Sequence, residues 1–366
     1  MKKKINREKG ITLIALVITI IILLILAGIS ISALTNQGLF KNAKIAQNAT
    51  EKAEAEQGKT LNEYEDEINK YLSNNDKTEG KLVDKVNDGT IKIGDYVKYT
   101  PDTASTDSIL QELNTYSGSD KNTTSTLTQE SLNWRVLDIK DGQVRLISEL
   151  PTTSKIKLNG YNGYNNAVKL LDDTCNTLYT NKQLASKVQN IKIEDIQDKM
   201  IETDYSKFDS NYGKIFTPTN KYYPNILTKE KNQKMNGTAG TELELSEQTE
   251  LINQTTKIQA TSLDVKYTYW YKIMEENDFK NSKYYELFIN NNYTYWMSSR
   301  CVFSDSYYAH SDVRLVDSGS VHANYLYYSG DGEGFHVYAF RPIITLNSNV
   351  QVTSGNGNPN SPFEIQ

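Results

Sequence analysis

The longest apolar stretch of the chain runs from Ile11 to Leu34, twenty-four residues without a charge. As a helix it would reach about 36 Å, against about 30 Å for the hydrocarbon core of a bilayer. The pattern therefore predicts a membrane-spanning helix over 11–34. Residues 1–10 are basic, and basic flanks stay on the cytoplasmic side. That orientation places everything from Thr35 outward, as a single-pass protein of the cell membrane with an extracellular C-terminal domain.

Beyond Leu34 the periodicity changes. Residues 39–57 read as a polar helix with a narrow alanine stripe, and Leu61–Leu72 as a short amphipathic one. Together they predict a helical stalk and linker over 35–80. The alternation then becomes strand-like. Ile91–Tyr99 predicts a bulged strand or strand pair, and residues 101–131, rich in Ser, Thr, Asp and Asn, predict a long loop. Trp134–Ile139 and Gln143–Ser148 flank Asp141-Gly142, a strong hairpin signal. Within Gly160–Thr180, Val168, Leu171, Cys175 and Leu178 recur at helical spacing, so the segment predicts a helix with those four on its buried face. A second helix is expected near Ile193–Ile201, with Glu194 and Asp195 favourably placed at its start.

Further on, Lys266–Tyr271 alternates like a strand and Phe279–Asn291 reads as helical. Tyr293–Val302, Asp312–Asp317, Val321–Tyr328 and Tyr338–Leu346 predict the strands of a final sheet, with Ser318-Gly319 as a turn. The expected class is α+β: a long N-terminal hydrophobic helix followed by a mixed, mainly antiparallel β ectodomain over 81–350. Residues 351–366 read as a Gly/Asn/Pro-rich tail.

Charge narrows the function. The chain carries −5 overall, and −9 once the leader's net +4 is set aside. An acidic ectodomain lacks the electrostatic footprint of a nucleic-acid binder. Cys175 and Cys301 are the only cysteines; one long-range disulfide and two buried thiols both satisfy the sequence. Glu242, Glu244, Glu247 and Glu250 read as a solvated face. His310, His322 and His336 match no zinc spacing. Asp305, Asp312, Asp331 and Glu333 match no calcium loop. No nucleophile motif or phosphate loop is present. The sequence thus offers no catalytic residues, no metal site and no cofactor.

What stands out is a palette of side chains. Between Val302 and Phe340 the segments hold Phe303, Asp305, Tyr307, Tyr308, His310, Tyr325, Tyr327, Tyr328, Phe335 and His336 among Ser, Gly and Asn. Tyrosine gives contact area at low entropy cost, and small polar residues adapt their hydrogen bonds. This predicts a face that binds a glycan or protein ligand on an external surface through Tyr307, Tyr308, His310, Tyr325, Tyr327, Tyr328 and His336.

Two resemblances bear on these expectations. The leader MKKKINREKG followed at once by ITLI resembles the signal of type IV prepilins. It implies cleavage between Gly10 and Ile11 by a prepilin peptidase, methylation of the new N-terminus, and other pilin subunits as partners in a surface pilus. Position 15 is Ala where that family has Glu, which implies a minor pilin or pseudopilin. The order YWMSSRCV, VRLVDSG, AFRPIITL, together with NGYNGYNNAVKLLDDTC, resembles C-terminal domains of clostridial surface proteins, distantly similar to the C-type-lectin-like fold of formylglycine-generating enzymes. It implies a displayed binding domain for adhesion or recognition. The alternative it leaves is a membrane-anchored surface enzyme.

Overall fold

Two dipeptides close the central hairpins. Asp141 and Gly142 both take positive φ (52° and 74°), and so do Ser318 and Gly319 (45° and 95°). Two residues at positive φ are what a two-residue loop between twisted antiparallel strands requires. The first joins β2 (Trp134–Lys140) to β3 (Gln143–Ser148), and the second joins β7 (Ala309–Asp317) to β8 (Ser320–Tyr328).

The computed structural model describes residues 79–118, 127–220, 222–223, 244–252, 258–259, 264–289, 292–328 and 332–366, with 18–20, 50 and 53 nearer the N-terminus. The chain divides into two units, Met1–Ile68 and Asn69–Gln366. In the first, the described residues are helical. The expected cleavage site Gly10–Ile11, most of the span 11–34 and most of the stalk lie outside the described residues. Among the described residues no helix is long and apolar enough to cross a membrane.

The second unit is built on two eight-stranded sheets. One runs in the order Gly80–Lys81, β11 (Gln351–Ser354), β12 (Phe363–Ile365), β1 (Tyr96–Lys98), β2, β3, β10 (Pro342–Leu346), β5 (Ala185–Asn190). The other runs Lys272–Ile273, β8, β7, β6 (Thr294–Ser304), β9 (Phe335–Ala339), β4 (Lys155–Asn159), with Gly332–Glu333 added to β8 and Glu244–Leu245 to β6. The pairs β1–β12 and β6–β9 are parallel, and the other pairs within these sheets antiparallel. The described helices run from five to twenty residues. The expected α+β class built around a long apolar helix is thus corrected: the described chain is mostly β, with short helices.

Helix α3 (Gly160–Tyr179) packs against both sheets, on β5 of the first and on β6 and β4 of the second, and Val168, Leu171, Cys175 and Leu178 are all fully buried. Two apolar cores form on opposite sides of several strands. Trp296 and Ile344 belong to one; Tyr295, Met297 and Ile343 belong to the other. Successive strand side chains point to opposite faces, so strands buried on both sides read as continuous apolar runs.

Several expectations differ from the structure: Lys266–Tyr271 is not a strand, since only Val265–Lys266 and Lys272–Ile273 at its ends pair, and of Ile91–Tyr99 only Tyr96–Lys98 is one. Tyr338–Leu346 is not one strand closing one sheet: β9 ends at Ala339 in one sheet, and β10 begins at Pro342 in the other. Proline fits there because the first residue of a strand can do without an amide donor. Within 101–131 a helix forms, α2 (Asp107–Tyr116), which buries Ile109 and Leu113 at i, i+4. The expected tail supplies β11 and β12, which pair with Gly80–Lys81 and with β1. The other α-helices described in this unit are α1 (Leu82–Asn87), α4 (Ile193–Gln197) and α5 (Ser282–Phe288).

Candidate ligand-binding face

The β6–β7 connection is set by Asp305. Its Oδ1 accepts from the amides of Tyr307 (2.7 Å) and Tyr308 (2.8 Å), and its own amide donates to the Tyr308 carbonyl (2.9 Å). An Asp that hydrogen-bonds its backbone two residues on is a preformed turn. The Tyr307 ring stands out from this turn at 64% exposure.

Cross-strand register assembles the rest. Phe303 pairs with His310 and His310 with Tyr328. Their rings meet edge to face at 4.5 and 4.4 Å, a favoured aromatic arrangement. Tyr308 lies 4.6 Å from Tyr328 and 6.0 Å from Tyr307. One irregularity then matters. Ser311 pairs with Tyr327 and Asp312 with Tyr325, so β8 carries an extra residue at this point. A bulge changes the alternation of side chains. It brings Tyr325 and Tyr328, three apart, within 6.1 Å of each other, with Tyr325 also 5.8 Å from His310 and 6.0 Å from His336.

Six of the seven residues expected in the face are therefore in one ring-to-ring network: Tyr307, Tyr308, His310, Tyr325, Tyr328 and His336. The seventh, Tyr327, is placed elsewhere. It is fully buried and stacks on Tyr161 of α3 at 4.4 Å. Sequence reasoning missed Tyr267 and Tyr269, which extend the network through Phe303 at 5.0 and 5.9 Å. The period-two spacing of aromatics in KYTYWY was the available signal. Phe335 is exposed, with the Lys157 ammonium 4.3 Å above its ring.

The face is electrically quiet. Burial lowers the His310 imidazole to about 4, against the opposing pull of Asp305, and burial also lowers His336. Both rings are therefore neutral near pH 7. From Tyr325 a cross-strand row leads through buried Asp312 and Cys301 to half-buried Glu244, one residue from each of four paired strands. Burial raises the Asp312 carboxyl to about 7, with Arg314 opposing. Arg314, fully buried, holds Glu244 through two hydrogen bonds (3.1 and 2.8 Å) and donates to the Thr268 and Trp270 carbonyls. Glu244 thus departs from the solvated face expected of it.

Cys175 and Cys301 are both buried free thiols, not a disulfide. Burial raises both well above the ordinary thiol range, which makes them poor nucleophiles. Among the described residues, no group of three or more His, Cys, Asp or Glu side chains is placed to hold a metal; Asp331 lies outside them. His322 sits 3.5 Å from Asp317, away from the other two histidines in the network.

No family model matches the chain, and no curated protein or solved structure matches it either.

Proposed function

We propose that this is a cell-surface recognition protein: an N-terminal segment anchors it in the membrane, and the β domain presents the aromatic face to an external glycan or protein. The observation that carries this reading is the ring network itself. Tyr307 and Tyr325, 64% and 44% exposed, stand on a support of neutral, mutually packed rings. Large rigid side chains held in place lose little entropy on binding, and exposed aromatics supply contact area and hydroxyl hydrogen bonds together. Lone exposed aromatics are ordinary on a surface; a connected group is less so.

The anchoring half of the proposal rests on residues 1–34. Their basic leader and uncharged run support prepilin-type processing after Gly10, extracellular display, and association with other pilin subunits as a minor component.

The test has two parts. N-terminal mass spectrometry of the protein from its native membrane should find a chain that starts at Ile11 with a methylated amine; a chain that starts at Met1 overturns the processing. The full chain in lipid nanodiscs should then be screened on glycan and surface-protein arrays beside a Tyr307→Ala/Tyr325→Ala variant. Spots that bind the parent and lose the variant support the face. Equal binding by both overturns it.

A further inference from the structure

A cleft of about 340 Å³ opens on the first sheet, between the β2–β3 hairpin, β5, α4 and the segment around Glu247. Small-molecule pockets are about 300–1,000 Å³ and are mostly apolar. This one departs from that composition: every residue that lines it is polar or charged.

Its charges fall into two groups. Arg145 is consumed by the structure, held by both oxygens of Asp138 (2.7 and 2.6 Å) and by Asp195 (2.5 Å). Lys192 is likewise held, by Asp172 at 3.3 Å and the Ser246 carbonyl at 2.5 Å. By contrast the side chains of Lys187 and Glu247, both exposed, have no hydrogen-bond or ion-pair partner among the described residues. Two acceptors in the wall are also left over. Gln189, 9% exposed, has Oε1 buried without a hydrogen-bond donor, and so has Glu194 at Oε2. An unmet buried acceptor costs about 1–3 kcal/mol; both oxygens are shielded, so a donor that enters the cleft meets them once their side chains turn toward it.

The lining excludes most ligand classes. An apolar compound meets no apolar side chain, though methylene stems form part of the wall. An anion meets Glu194 and Glu247, and a simple cation meets Lys187 beside Lys192 and Arg145. What remains is a neutral compound dense in both hydrogen-bond donors and acceptors. We propose that the cleft is a saccharide-binding site. Sugar hydroxyls donate to Gln189 Oε1, Glu194 Oε2 and the Glu247 carboxylate, and sugar oxygens accept from Lys187. The site is separate from the aromatic face and does not depend on it.

The test is saturation-transfer NMR and calorimetry on the full chain in phospholipid nanodiscs, which avoid sugar-headed detergents. The probes are glucose, galactose, mannose, N-acetylglucosamine, maltose, lactose and cellobiose. At least one should bind with a Kd in the range of about 0.1–10 mM, as weak polar sites do. Lys187→Ala and Glu247→Ala remove side chains without structural partners, so each should leave thermal unfolding unchanged and raise Kd about tenfold, one lost hydrogen bond to a charged group. Gln189→Leu should abolish binding. Failure of every probe to bind at about 20 mM, or binding that survives all three variants, overturns the proposal. Sugar binding lost in Tyr307→Ala but kept in the cleft variants would overturn it too, while it supported the aromatic face.

Discussion

His310 stands directly opposite Tyr328 across the β7–β8 pair, ring centroids 4.4 Å apart and nearly perpendicular at 66°. The contact sets a neutral imidazole and a phenol ring edge to face. Through it the exposed tyrosines at the two ends of the network are tied to the sheet, not to mobile side chains of their own.

Exposure separates two tyrosines that the sequence treats alike. Tyr307→Ala removes an exposed ring, so stability should change by less than about 0.5 kcal/mol while array binding is lost. Tyr327→Ala removes a fully buried ring stacked on Tyr161. Its cost should be about 3–5 kcal/mol, the range for aromatic-to-alanine changes in a core. Thermal unfolding reports both directly, because Trp134, Trp270 and Trp296 are all buried in the β domain. Equal melting temperatures for the two variants would contradict the placement of Tyr327.

The pH dependence should carry two opposing slopes. His310 titrates at about 4 in the fold and near 6.5 when unfolded. As pH falls between those values the unfolded chain takes up a proton and the folded chain does not, so stability is lost toward acid. Asp312 titrates at about 7 in the fold, against 3.8 unfolded. As pH rises between those values the unfolded chain releases a proton that the folded chain keeps, so stability is lost toward neutral. Burial sets this value with Arg314 opposing it, and the buried Cys301 and half-buried Tyr269 are the other titratable groups that feel the carboxyl. Asp312→Asn should therefore leave a melting temperature that climbs from pH 4 to 6.5. His310→Phe should leave one that declines from pH 4 to 7. The same slope in both variants would show that neither group titrates as placed.

The thiols offer a chemical check. Cys175 faces Asn190 Oδ1 at 3.9 Å inside the first core, and Cys301 is buried on β6 opposite Asp312. With both fully buried and their thiolates disfavoured, neither should react with maleimide in the folded protein. Both should react once urea unfolds it, and reductant should not shift the melting temperature. A reductant-sensitive melting temperature would establish a disulfide instead.

The sequence carried what is local. Asp141-Gly142 and Ser318-Gly319 need only their own φ preferences to be recognised as hairpin turns, and the i, i+3, i+7, i+10 spacing of Val168, Leu171, Cys175 and Leu178 is a property of α3 alone. The candidate residues were legible by type, since Tyr307, Tyr325 and the histidines crowd one stretch. Their grouping was not. Whether Tyr325 or Tyr327 faces outward is decided by a one-residue bulge opposite Ser311 and Asp312, which no pattern within β8 announces. Helix α2 was hidden because Ser, Thr and Asp dominate its surroundings and only Ile109 and Leu113 mark its buried side. β11 and β12 depend on partners that lie far back in the chain, Gly80–Lys81 and Tyr96–Lys98, where composition suggested a tail.

Arg341 is where the two sheets are fastened, and it yields the sharpest stability prediction. It is fully buried between β9 and β10. Its Nε and Nη2 donate to the Ser148 carbonyl (3.1 and 2.9 Å), Nη2 also to the Glu149 carbonyl (2.8 Å), and the guanidinium lies 5.4 Å from the Tyr295 ring centre. Burial lowers its pKa, yet guanidinium stays charged at any ordinary pH. Arg341→Met keeps much of the side-chain volume but strands these carbonyls at the end of β3, where the chain turns toward β4. The expected loss is about 2–6 kcal/mol, about 1–3 kcal/mol for each of the two stranded carbonyls. Arg341→Lys should recover little of it, because an ammonium lacks the planar fork that reaches both carbonyls. Urea unfolding followed by tryptophan fluorescence measures both. A loss below about 1 kcal/mol for Arg341→Met would mean that water reaches the carbonyls, and that apolar packing alone holds the sheets together.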